Sequence, residues 1–146
     1  MVKQSSTAEI IFSLEQANAM LPLLRLIVAD ISLAHRELSE RRHQLHRLVR
    51  RREDSNAQVY NDEVAEIRSD LRTETRQLDE YIAELEGLGV VLRSAYDGII
   101  DFPMVMGEKA AFYVWRMGEL DVGYWRWPSE TFSQRRSLAR DRSQSM

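Results

Sequence analysis

The chain has 146 residues, of which 44% are hydrophobic and 29% charged, with a net charge of −3, which bounds it to one soluble globular domain able to bury a single core. A net negative charge argues against general electrostatic capture of nucleic acid, which needs many phosphate-neutralising cations on one surface. With no cysteine in the chain, disulfides, thiolate metal sites and a cysteine nucleophile are excluded.

The start, Met1-Val2-Lys3-Gln4-Ser5-Ser6, has no apolar run behind a basic residue, so no signal peptide is expected. The longest apolar stretch, Met20 to Ala29, is interrupted by Pro22 and Arg25, and the sequence predicts no membrane span and a cytoplasmic protein. Ser13 followed three residues later by Gln16 is a capping box, which opens a helix near Leu14. Pro22 lacks a backbone donor and crowds the preceding turn, so a bend or a stop is expected there, with a second helix beginning around Pro22.

The helical pattern then runs to about Arg52. Leu24, Val28, Ile31, His35, Leu38, Arg42, Leu45 and Val49 follow alternating spacings of four and three, as a heptad seam requires. A second seam runs through Tyr60, Val64, Ile67, Leu71, Glu74, Leu78, Tyr81, Leu85 and Leu88. Glu53-Asp54-Ser55-Asn56 lies between them as a polar turn in which Ser55 or Asn56 can cap the second helix. Gly87 and Gly89 supply its end. The segment from about 13 to 88 therefore reads as a long antiparallel, coiled-coil-like helical hairpin. Closed symmetrically, it sets Leu38 against Leu71, Ile31 against Leu78, Leu45 against Val64 and His35 against Glu74, the last a structural polar layer able to fix register. Arg42 opposite Ile67 should reach outward.

From Val90 the pattern changes to short runs bounded by glycine. Strands are expected at about Val90 to Arg93, Ile99 to Met104, Ala110 to Arg116 and Asp121 to Trp127, with turns at Gly107-Glu108 and Gly118-Glu119. Short connections favour an antiparallel β-meander, so the fold class is α+β. The domain is placed at 1–128, the sheet at about 90–127, and 129–146 as a loosely ordered Ser/Arg-rich tail. Near its base the first helix is apolar on most faces, at Leu21, Leu23, Leu24, Leu26, Ile27, Val28, Ile31 and Leu33. A sheet and a second surface must bury it, which points to a homodimer.

Arg41 to Arg52 holds six arginines and no acid beside His43 and His46. Glu53, Asp54, Asp62, Glu63, Glu66 and Asp70 across the turn can answer them, so the tip reads as a salt-bridged solvated surface that can dock a protein partner, and nucleic acid is not expected. Glu40 and His43 have the spacing of a dinuclear metal motif, which needs a second copy on another helix. All three histidines, His35, His43 and His46, lie on the first helix, so neither metal nor cofactor is expected. The candidate chemistry lies between Gly98 and Trp127, which hold all three tryptophans beside fixed charges, as a small core or a recognition surface does. Asp101 and Glu119 are the candidate acid and base, and Arg116, Tyr124, Trp125 and Arg126 the candidate ligand-binding residues. Strand parity separates some of these groups, since Tyr113, Trp115 and Met117 face opposite to Val114 and Arg116. No serine elbow, phosphate loop or paired-histidine helix accompanies them.

Phe12-Ser13-Leu14-Glu15-Gln16-Ala17-Asn18 with Leu21-Pro22, then Gly98-Ile99-Ile100-Asp101-Phe102-Pro103, then Trp115-Arg116-Met117-Gly118-Glu119 and Tyr124-Trp125 resemble a widespread bacterial family of unknown function. The resemblance implies a small soluble protein and supplies no reaction. Members commonly carry a histidine directly after the tyrosine and tryptophan, where this chain has Arg126, so chemistry resting on that histidine is not implied here. Arg135-Arg136-Ser137-Leu138 matches the family's arginine-rich ending.

Two functional readings follow. The first is a non-enzymatic interaction or scaffold protein self-associating through the hairpin. The alternative is a small enzyme or anionic-ligand-binding protein, with a pocket between helix base and sheet formed around Asp101, Glu119, Arg116 and Arg126.

Overall fold

The computed structural model describes residues 10–54 and 58–139. Two long helices, α1 (Leu14–Asp54) and α2 (Gln58–Gly87), precede strands β1 (Val91–Ser94), β2 (Ile99–Met106), β3 (Lys109–Arg116), β4 (Tyr124–Arg126) and β5 (Arg136–Ser137), with a 3-10 turn at Phe132–Gln134. The sheet order is β1-β2-β3-β4-β5, and every neighbouring pair is antiparallel. The fold is thus the expected α+β hairpin followed by a meander. The polar turn with its capping Ser55 or Asn56 lies outside the described residues.

Helix α1 opens on the capping box: the Gln16 backbone N–H donates to Ser13 Oγ at 3.0 Å, and the Ser13 N–H to Gln16 Oε1 at 2.9 Å. It then runs unbroken through Pro22 for 41 residues, about 60 Å at 1.5 Å per residue. The expected break does not occur. Ala17, Leu21, Leu24, Val28 and Ile31 are all within 2% of full burial on one stripe, so tertiary packing on both sides of Pro22 outweighs its missing hydrogen bond.

Around this stripe sit the other two layers. Leu78 and Leu85 of α2 join it from one side, and Ile100, Phe102 and Trp115 of the sheet, with Val90 just ahead of β1, from the other. Polar contacts lock the sheet's loops to the same helix: Asn18 accepts from the Val122 N–H at 2.8 Å, Ser32 Oγ donates to Tyr96 O at 3.3 Å, and Arg25 donates to Leu120 O. Helix α1 also contains an 18-residue window of mean hydropathy 1.5, 39% buried within the protein. Length and composition alone therefore do not exclude a bilayer span, contrary to the reading of Met20 to Ala29.

Beyond the sheet the hairpin holds itself together. Leu48, Val64 and Ile67 are buried with Leu45, Val49 and Leu71 packed against them, as a two-helix seam predicts. The polar layer is different from the one expected. Glu74 accepts from Arg41 at 2.9 Å, with Asp70 at 3.9 Å from the same guanidinium, while His35 is half-buried with its ring 6.3 Å from that of Tyr96. Arg41, six residues beyond His35 along α1, takes the place opposite Glu74, so the facing register departs from the symmetric pairing. Arg42 is exposed, as expected.

The hairpin of β2 and β3 closes through Gly107 and Glu108, both at positive φ (57° and 72°), the two-residue geometry that matches strand twist. Asp121 to Gly123 stay outside the strands. Residues 129–139, expected as the start of a loose tail, are instead folded: β5 pairs with β4 through Tyr124↔Ser137 and Trp125↔Arg136, and the Leu138 N–H donates to Gly123 O at 2.9 Å.

Replacing Pro22 with alanine should restore one helical hydrogen bond on an exposed face and raise stability by up to about 3 kcal/mol, measured by urea denaturation. Leu24→Ala should lower it by about 3 kcal/mol by emptying a fully buried position.

Candidate functional site

Alternation along the strands sends Ile100, Phe102 and Trp115 to the helices, and Asp101, Val114, Phe112, Tyr124 and Arg126 to the opposite face by their register. This outer face carries the site. Asp101 is 0% exposed and Arg126 5%. One carboxylate oxygen, Asp101 Oδ2, accepts from Arg126 Nη2 and from Arg93 Nε. The other, Oδ1, is buried and accepts no hydrogen bond from any described residue. A buried carboxylate needs such partners because removal from water penalises its charge heavily.

Arg126 does more than neutralise Asp101. Its Nη1 donates to three carbonyl oxygens, those of Trp127 (3.1 Å), Pro128 (3.3 Å) and Glu130 (2.7 Å). The guanidinium thereby wraps residues 127–130 around itself and turns the chain back toward β5. Glu130 closes the same turn: its carboxylate accepts from the Trp127 N–H at 2.9 Å and from both terminal nitrogens of Arg136 at 2.7 Å. These bonds, that from Arg136 foremost, hold the Glu130 carboxyl below its ordinary value of 4.5.

Aromatic rings fill the spaces between the arginines. Phe112 lies under Arg93 and Arg126 at 5.2 and 5.1 Å, and Arg135 stacks between Tyr124 (3.9 Å) and Phe132 (4.1 Å). Between these groups opens a cleft of about 360 Å³ lined by Arg93, Asp101, Arg126, Glu130, Phe132 and their neighbours.

Of the expected site residues, Asp101 and Arg126 come together. The acid and base pairing of Asp101 with Glu119 does not form, because Glu119 is held by Arg135 at 2.5 Å and accepts from the Arg116 N–H at 3.0 Å. Arg116 points along the outer face to Asp97 at 3.5 Å, and Tyr124 lies beneath Arg135. Trp125 is on the helix-side face, 7% exposed, edge-on to Trp127 at 4.9 Å. The cleft therefore lies on the sheet's outer surface and not between helix base and sheet. Arg93, Glu130 and Phe132 line it without having been singled out, and Phe112, Arg135 and Arg136 support lining residues from beside it. Parity could have signalled Phe112, which register puts on the Asp101 side; Glu130, Phe132 and Arg135 lie outside the strands and Arg136 pairs with Trp125, so no strand alternation marks them.

Among the described residues no cluster of three histidine, aspartate or glutamate side chains could hold a metal ion. The Trp115 indole N–H donates to Glu119 O at 3.1 Å, so that ring is a satisfied core residue.

Arg126→Met should cost about 3–5 kcal/mol in chemical denaturation, because it strands a buried carboxylate, whereas Arg93→Met, at a position 44% exposed, should cost less than about 1 kcal/mol. Because the Glu130 carboxyl is lowered in the folded state, its contribution is present above the ordinary carboxylate range and lost as pH falls through the folded value. Glu130→Gln should therefore melt earlier than the parent at pH 7, and the gap should close in acid.

Comparison with curated proteins and with solved structures returns no match. A family model does match, over residues 10–138, and these take in both helices, all five strands and the Asp101–Arg126 cleft. The chain belongs to the uncharacterized conserved protein family DUF2203.

Proposed function

We propose that this protein is a non-enzymatic cytoplasmic scaffold that self-associates as a homodimer through the outward face of α1. The observation that carries this reading is an unpartnered apolar stripe opposite the core. Leu23, Leu26 and Leu33 are 48%, 67% and 58% exposed, and Ala19, Pro22 and Ala29 are exposed beside them. Their positions advance by threes and fours, the period of a helix seam, and the small residues allow a second helix to approach closely. Asp30 is the one charge within the stripe.

A second copy suits this surface because a twofold axis across α1 lays the stripe on itself, each leucine finding an apolar partner. A bilayer suits it less. The same helix is fixed by Asn18, Ser32 and Arg25 to loops of the sheet, so threading it through lipid would dismantle the core and leave those polar groups unsatisfied. The two carboxylates that general acid and base work would need are both occupied by arginines, which supports a binding role over catalysis.

Sedimentation equilibrium at micromolar concentration should give twice the chain mass of 17.1 kDa, and Leu26→Glu should give the single mass with unchanged circular dichroism. A wild-type monomer at tens of micromolar sinks the proposal. Pelleting with lipid vesicles in place of dimerisation would assign the stripe to a membrane.

A further inference from the structure

Two lining residues of the outer cleft, Arg93 and Asp101, keep hydrogen-bonding capacity that no described residue uses. Arg93 spends only Nε on Asp101, so its two terminal nitrogens donate to no described residue, and its side chain is 44% exposed. Asp101 Oδ1 is an acceptor without a donor in a residue that is 0% exposed, a condition that costs on the order of 1–3 kcal/mol if left unanswered. The other polar groups of the lining are taken: Ser94 Oγ accepts from the Asp97 N–H at 3.0 Å, Glu130 is bound by Arg136, and Arg126 has four acceptors.

The lining holds Arg93 and Arg126 against Asp101 and Glu130, and Glu130 is already neutralised by Arg136, so three guanidiniums face two carboxylates and an anion is favoured. The orphaned Oδ1 adds a second demand, that the anion bring a proton to donate. A phosphate that keeps one proton meets both demands, and sulfate, with like shape and charge but no O–H, meets only the first. Ile99, Pro128 and Phe132 form an apolar wall beside these groups, suited to the organic part of a monoester.

We propose that this cleft binds a protonated phosphate group, free or as a monoester. The terminal nitrogens of Arg93 donate to its oxyanion, and Asp101 Oδ1 accepts its O–H. Oδ1 is closed to solvent in the structure, so binding requires side chains of the lining to shift and uncover it. Arg93 is the less firmly held of the two arginines, with one nitrogen on Asp101, while both terminal nitrogens of Arg126 have acceptors. The site stands apart from the α1 stripe, and its occupancy does not depend on dimerisation.

The test is isothermal titration of the full chain at pH 6, near the second phosphate pKa of about 6 for a monoester, with inorganic phosphate, phenyl phosphate and sulfate at matched ionic strength. Both phosphates should bind, and sulfate at least about tenfold more weakly, the worth of one charge-assisted hydrogen bond. Tighter binding of phenyl phosphate assigns the site to monoesters; equal or weaker binding assigns it to free phosphate. Arg93→Met, checked for an unchanged melting temperature, should lower phosphate affinity at least about tenfold. Sulfate binding as well as phosphate, no heat from either phosphate, or undiminished affinity in a folded Arg93→Met protein would each overturn the assignment. The sulfate comparison decides the matter even where the variant does not fold.

Discussion

One face of one helix organises the molecule. Ala17, Leu21, Leu24, Val28 and Ile31 form the buried stripe on α1, and both other layers, the second helix and the inner face of the sheet, are built against it. Away from this stripe the described residues bury only smaller clusters, one in the distal hairpin seam and one within the sheet around Met104, Ala111 and Trp125. The stripe is strong enough to carry the helix through a proline. Its opposite face, apolar and exposed over the same turns, is what remains when a helix is hydrophobic all round and only two neighbours cover it.

The outer face of the sheet is a second core of a different kind, held by guanidiniums instead of hydrocarbon. Arginine suits that task because its planar fork can bind a carboxylate and several carbonyls at once while its face lies on a ring. Arg126 joins β2, β4 and the returning segment in this way, and Arg135 and Arg136 repeat the device with Glu119 and Glu130. The arginine bias of the chain thus has a structural use beyond the hairpin tip.

Much of the fold is legible in the residues, because it rests on local periodicity. The capping box at Ser13, the two heptad seams and the turn at Gly107-Glu108 follow from spacing and from backbone preference alone. What escapes is set by long-range partners. Pro22 reads as a break because its burial context lies in α2 and in strands some seventy residues on. The His35 and Glu74 layer fails because register depends on where the hairpin turns, and a shift of one or two residues there moves every facing pair. The fifth strand lies in a segment whose composition is polar, and it is turned back by the carbonyls gathered by Arg126 together with the Glu130 carboxylate. At the site, Asp101 and Arg126 stand out as charges among apolar residues, while Arg93 and Glu130 can be placed beside them only once the register is known.

The self-contained packing of the distal hairpin bears on how this protein tolerates change. Leu48, Val64 and Ile67 form a cluster separate from the core at the base, so the free energy of opening should decline along the rods from sheet to tip. Substitutions near the tip alter a surface without disturbing the frame that supports it. Such an arrangement lets sequence change accumulate toward the far end while the anchored end stays as it is.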